Sequence, residues 1–115
     1  MIPKNNSPAD NQPVDDNPQV SYSEGGRSGT IHYVSTETSF DLWYEFAMPP
    51  AIVIIGIPEP RFWEAQTKTP LSQRTGILQF ISEQVIKDRL LGNGYVLIEQ
   101  DTIMTIYSGK NPDTV

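Results

Sequence analysis

The sequence has no cysteine and a single histidine, His32. Without thiols it forms no disulfide, offers no thiolate to a metal and has no cysteine nucleophile. No apolar run approaches the roughly 20 residues needed to cross a bilayer as a helix. The first stretch, residues 1–26, lacks the apolar centre of a signal peptide. Basic residues are scarce: 8 Lys and Arg stand against 14 Asp and Glu, a net charge of −6. Nucleic-acid backbones and anionic membranes attract Lys/Arg clusters, so neither is expected as a partner. The cytoplasm is the expected location.

Sequence signatures of catalysis are also missing. There is no G-x-S-x-G, and no local spacing sets a serine beside His32. There is no H-E-x-x-H. Gly25-Gly26-Arg27-Ser28-Gly29 lacks P-loop spacing and precedes a strand pattern instead of a helix. The expected sets of catalytic residues, metal ligands and cofactors are therefore empty.

What is present reads as one folded unit between two tails. Residues 1–26 are rich in proline and polar residues and have little to bury. Ordering them costs roughly 1–2 kcal/mol per residue in backbone entropy, which favours a disordered N-terminal tail. A single α+β domain is expected over residues 27–107, with a flexible C-terminal tail over 108–115. The short proline-poor segment Thr30–Val34 is rich in β-formers. Ser39–Ala47 alternates strictly, with Phe40, Leu42, Tyr44 and Phe46 on one face and Asp41, Trp43 and Glu45 on the other. The short link Ser35–Thr38 implies a hairpin. Centring its turn on Thr36-Glu37 pairs Ile31 with Leu42, Tyr33 with Phe40, His32 with Asp41 and Thr30 with Trp43.

After Met48-Pro49-Pro50, Ala51–Ile57 is apolar on both faces, as a covered central strand is. Something must then cover part of the far side, and Trp43, Phe62 and Trp63 are the candidates. Glu59–Thr67 suits a short helix with Pro60 in its first turn. Thr69-Pro70 resembles a cap and first position for a main helix over Leu71–Leu91. Its apolar stripe is Ile77, Leu78, Phe80, Ile81, Val85 and Leu91, while Gln79, Ser82, Glu83 and Lys87 face away. Asp88 falls inside the stripe, so either the helix ends early or Asp88 has a partner. Gly92-Asn93-Gly94 stops the helix. Tyr95–Glu99 and Thr102–Tyr107 form a second hairpin across Gln100-Asp101. The order β-β-β-α-α-β-β predicts a mainly antiparallel sheet of about five strands with one long and one short helix packed on it.

Three groups bear on function. His32, Asp41 and Glu45 share a strand face, where the expectation is a cross-strand polar pair and not a metal or acid–base site. Trp43, Phe62 and Trp63 are an aromatic group of the kind enriched at interfaces. Glu45, Arg61, Glu64 and Arg74 suggest a charge network about the turn between the helices, or a seat for an anion. The candidate binding residues are Asp41, Trp43, Glu45, Arg61, Trp63 and Arg74. The expected function is a small non-enzymatic interaction or binding module, with a protein partner or a second copy as its target. The alternative is a small-molecule binder or small enzyme, with a pocket between sheet and helices lined by Trp43, Trp63, Tyr44 and the Arg/Glu group.

Overall fold

The computed structural model describes residues 18–112. In chain order the elements are β1 (Gln19–Gly25), β2 (Ser28–Val34), β3 (Ser39–Phe46), β4 (Ala51–Gly56), α1 (Pro60–Thr67), α2 (Arg74–Leu90), β5 (Gly94–Glu99) and β6 (Ile103–Ser108). They form an α+β fold around a six-stranded antiparallel sheet of order β1-β2-β3-β4-β6-β5. Four strands form a meander, the helices follow, and β5 returns as the far edge with β6 beside β4.

The β2–β3 hairpin has the register expected from alternation, including His32 opposite Asp41 and Thr30 opposite Trp43. Its loop is held by the Ser35 hydroxyl, which accepts the N–H groups of Glu37 and Thr38, each at 3.2 Å. Ile31, Tyr33, Phe40, Leu42, Tyr44, Val53, Ile55, Met104 and Ile106 are buried on the inner face. From α2, Ile77, Leu78, Ile81, Val85 and Ile86 complete this core, and Phe80 packs partly buried against it.

β1 departs from the expected tail. The segment is poor in apolar residues, but the few it has alternate. Val20 and Tyr22 pack against the core, while Ser21 and Ser23 lie on the other face. The link Gly26-Arg27 closes a two-residue hairpin, with Gly25 opposite Ser28 and a φ of 79° at Gly26. A left-handed first central residue suits a type II′ turn, and glycine adopts it without steric cost. The expectation of a tail through residue 26 is thus corrected for Gln19–Gly25, and its residues 1–17 lie outside those described. At the other end, Ser108 belongs to β6, opposite Gly94, and not to a tail. The Gly109 N–H donates to the Asn93 carbonyl at 3.0 Å.

The helical connection also differs in detail. Thr69 caps nothing. A 3-10 turn over Leu71–Gln73 leads into α2, which starts at Arg74. Thr69 faces inward, and its hydroxyl accepts the Trp63 indole N–H at 3.0 Å. Thr67 lies 2.9 Å from the same oxygen and donates to the Trp63 carbonyl. Buried hydroxyls in this position satisfy the indole donor that a buried tryptophan brings. Leu91 leaves the stripe: it ends α2 in a left-handed conformation and is exposed. Ser82 does not face away but is buried, satisfied by donating to the Gln79 carbonyl at 2.9 Å. Asp88 has its partner, accepting the Tyr22 hydroxyl from β1 at 2.7 Å. No helix among the described residues is long and apolar enough to cross a membrane.

Candidate functional site

Both helices contribute to the core on one face of the sheet, so strand alternation leaves the other face open. Trp43 projects there and is 48% exposed. It sits opposite Thr30 on one side and beside Gly56 of β4 on the other, where a β-carbon would lie 3.4 Å from the indole. The missing side chain at Gly56 leaves room beside the ring. Phe62 of α1, half exposed, borders the same space. The result is an open groove of about 340 Å³ lined by Asp41, Trp43, Gly56, Glu59, Phe62 and Gln66, among others. Two aromatic rings, aliphatic residues and two carboxylates stand among its lining. Arg61 pairs with Glu59 at 3.3 Å and lies over the Phe62 ring, 4.6 Å from its centre.

The six residues singled out from sequence divide. Asp41 and Trp43 line the groove, and Arg61 borders it through Glu59 and Phe62. Glu45 is one row further along, level with Ser28 and Ile54. Trp63 is fully buried, edge-on to Phe40 with ring centres 5.7 Å apart. Arg74 is buried too. Its guanidinium donates twice to the Pro58 carbonyl, at 3.2 and 3.0 Å, and once to the Asp101 carbonyl at 3.0 Å. Those bonds tie the start of α2 to the end of β4 and to the β5–β6 turn. They offset the poor placement of a cation at a helix N-terminus. The charge network proposed for Glu45, Arg61, Glu64 and Arg74 is divided among other partners: Glu64 accepts the Leu71 N–H at 2.9 Å. Tyr44, assigned to the alternative pocket, is likewise in the core.

Beside the groove, the expected His32–Asp41 cross-strand pair is present and extends through Ser23, absent from the sequence expectation, into a hydrogen-bonded row of three. His32 Nδ1 is 2.7 Å from Asp41 Oδ1, and His32 Nε2 is 2.6 Å from Ser23 Oγ. An ionised carboxylate only accepts, so Nδ1 donates to Asp41. In the neutral ring Nε2 is then the acceptor, and the Ser23 hydroxyl donates to it. Three adjacent strands, β1, β2 and β3, each supply one member. Ser23 escaped the sequence reading because β1 did. The alternation of Val20 and Tyr22 with Ser21 and Ser23 was the available clue. Among the described residues, no three His, Cys, Asp or Glu side chains form a metal-holding group.

A second cluster fastens β1 to α2. Arg89 pairs with Glu24 and lies over the Tyr22 ring, 4.8 Å from its centre. The hydrogen bond from Arg89 holds the Glu24 carboxyl below the usual carboxylate range. Burial, then the Asp88 carboxylate, pushes the Tyr22 phenol well above its ordinary value. The Tyr44 hydroxyl is buried without a partner in hydrogen-bond geometry among the described residues. Burial raises its phenol, and the Glu24 carboxylate adds to the effect. Comparison with protein-family models, with curated proteins and with solved structures finds no match for this chain.

Proposed function

We propose that this protein is a binding module whose open sheet face takes a segment of a protein partner in the groove beside Trp43. The observation that carries the reading is the presence of two half-exposed aromatic rings, Trp43 and Phe62, in one groove that Asp41 and Glu59 also line. An apolar side chain is the occupant that such rings favour. A neighbouring Lys or Arg gains from the face of the indole and from the carboxylate oxygens of Asp41 and Glu59 not engaged by His32 and Arg61. The net charge of −6 favours such a basic segment and disfavours nucleic acid and anionic lipid. The cytoplasm is the compartment we propose. Titration with short peptides joining one basic and one large apolar residue tests this. Saturable change in Trp43 emission, absent with the acidic counterparts and lost in Trp43→Ala, is the expected result. Equal response to acidic and basic peptides would contradict it.

Self-association is a second reading, favoured by the β5 edge. Leu97 and Ile98 are exposed there, beside an apolar groove of about 310 Å³ that Leu78, Val96 and Met104 also line. An unpaired apolar edge strand is a template for another strand. Sedimentation of the wild type and of Ile98→Lys tests this: a dimer abolished by the charge supports it, and a monomer at high concentration rejects it.

A further inference from the structure

From the row across β1, β2 and β3 we infer that Ser23 is a nucleophile toward carboxylic esters, with His32 as its general base and Asp41 as the positioning residue. The inference rests on the row and not on what the groove binds: Asp41 is shared with the groove's lining, while Ser23 and His32 are not. The geometric demands on such a row are a nucleophile within hydrogen-bond reach of a base, and a base held by a third group. Both contacts are met, at 2.6 Å and 2.7 Å. Asp41 fixes the tautomer: with Nδ1 carrying the proton, the lone pair of Nε2 faces the Ser23 hydroxyl. Ser23 lies on an exposed part of an edge strand, so an ester reaches it from solvent. The three side chains come from successive strands of a hydrogen-bonded sheet, which restrains their spacing without any ligand.

Ser23 lies level with Thr30 and, beyond it, Trp43. Two strand spacings of about 4.8 Å separate serine and indole, so an acyl group on Ser23 has an aromatic surface within about 10 Å. In the reaction the Ser23 oxygen attacks the ester carbonyl carbon and its proton passes to His32 Nε2. The carbonyl electron pair moves to oxygen as the new bond forms. When that pair returns, the ester C–O bond breaks and the alcohol leaves with the proton from Nε2. Water then adds to the acyl-serine by the same route, releasing the carboxylic acid and restoring Ser23.

p-Nitrophenyl acetate and peptide mass spectrometry of the quenched protein test the assignment. The expected result is an acetyl group on the peptide containing Ser23, with loss of the p-nitrophenolate burst in Ser23→Ala. His32→Gln should slow acylation by about a hundredfold or more, the usual contribution of a general base. Asp41→Asn should slow it by at least about tenfold. It should also redistribute the His32 ring-nitrogen NMR signals between tautomers in step with the loss of rate, whereas a merely structural role for Asp41 would leave the acylation rate unchanged. Unaltered p-nitrophenolate release in Ser23→Ala overturns the inference, because His32 or a lysine is then the nucleophile. So does acetyl found only on lysine or the N-terminus, or no covalent label at all. Ser23→Ala separates this activity from peptide binding: it should abolish acylation and leave the peptide-induced change in Trp43 emission intact, since Ser23 does not line the groove.

Discussion

Trp43 and Trp63 show how residues of one type come to opposite ends of the burial scale. Trp63 lies in α1 with its ring in the core and its N–H on Thr69, so truncation leaves a cavity and takes from the Thr69 oxygen the donor it accepts. Trp63→Ala should cost about 3–5 kcal/mol. Trp43 is half exposed on the open face, and Trp43→Ala should cost under about 1 kcal/mol. Chemical denaturation of the two variants checks the contrast. Ile81 is fully buried on α2, and Ile81→Ala should cost about 2–5 kcal/mol in the same assay. Gly56 offers a different probe. A β-carbon there meets the indole at ordinary contact distance, so Gly56→Ala should narrow the groove and weaken peptide binding while the fold persists. Strand alternation made the orientation of Trp43 legible. The fate of Arg74 was not legible, because carbonyl partners from Pro58 and Asp101 are set by tertiary geometry and have no sequence spacing.

Among the elements, β1 is the one composition concealed. Residues 1–26 average to a polar stretch, and a strand needing only Val20 and Tyr22 for its inner face is lost in that average. The other strands were legible because alternation in β3 fixed the register of the first hairpin. The misfit of Asp88 pointed to a missing partner, and Tyr22 of β1 is that partner. Gly29 of β2 tests how β1 is seated. A β-carbon there would lie 2.1 Å from the Ser23 carbonyl oxygen and 2.9 Å from the Tyr44 ring. Gly29→Ala should therefore displace β1, seen as fast amide exchange over Gln19–Gly25 with α2 still protected; unchanged protection in β1 would refute that seating.

The β1–α2 contacts also set a dependence on pH. Glu24 has a lowered folded value, so its stabilisation is complete above the ordinary carboxylate range and is lost as pH falls through that lowered value. Tyr22 and Tyr44 have raised folded values, so theirs is complete below about pH 10 and is lost as pH rises through them. Unfolding midpoints should be highest between these limits and fall on both sides. Tyr22→Phe should flatten the alkaline limb, and a midpoint still climbing above pH 10 would contradict the assignment.

Over the whole molecule, the sheet has one face under the helices and one face open to solvent. The apolar strand β4 explains why the sequence called for cover on both sides. Val53 and Ile55 of β4 are buried within, but Ile54 is only half-buried, between Glu45 and Thr105. The cover is partial, and Trp43 and Phe62 mark where it is left open. Quenching of tryptophan emission by acrylamide tests this most directly, in the wild type and in Trp43→Phe. The wild type should show two populations, one red-shifted and readily quenched, the other blue-shifted and resistant. Trp43→Phe should retain only the resistant one, from Trp63. Uniformly blue, unquenchable emission from the wild type would mean that Trp43 is covered and that the groove is closed.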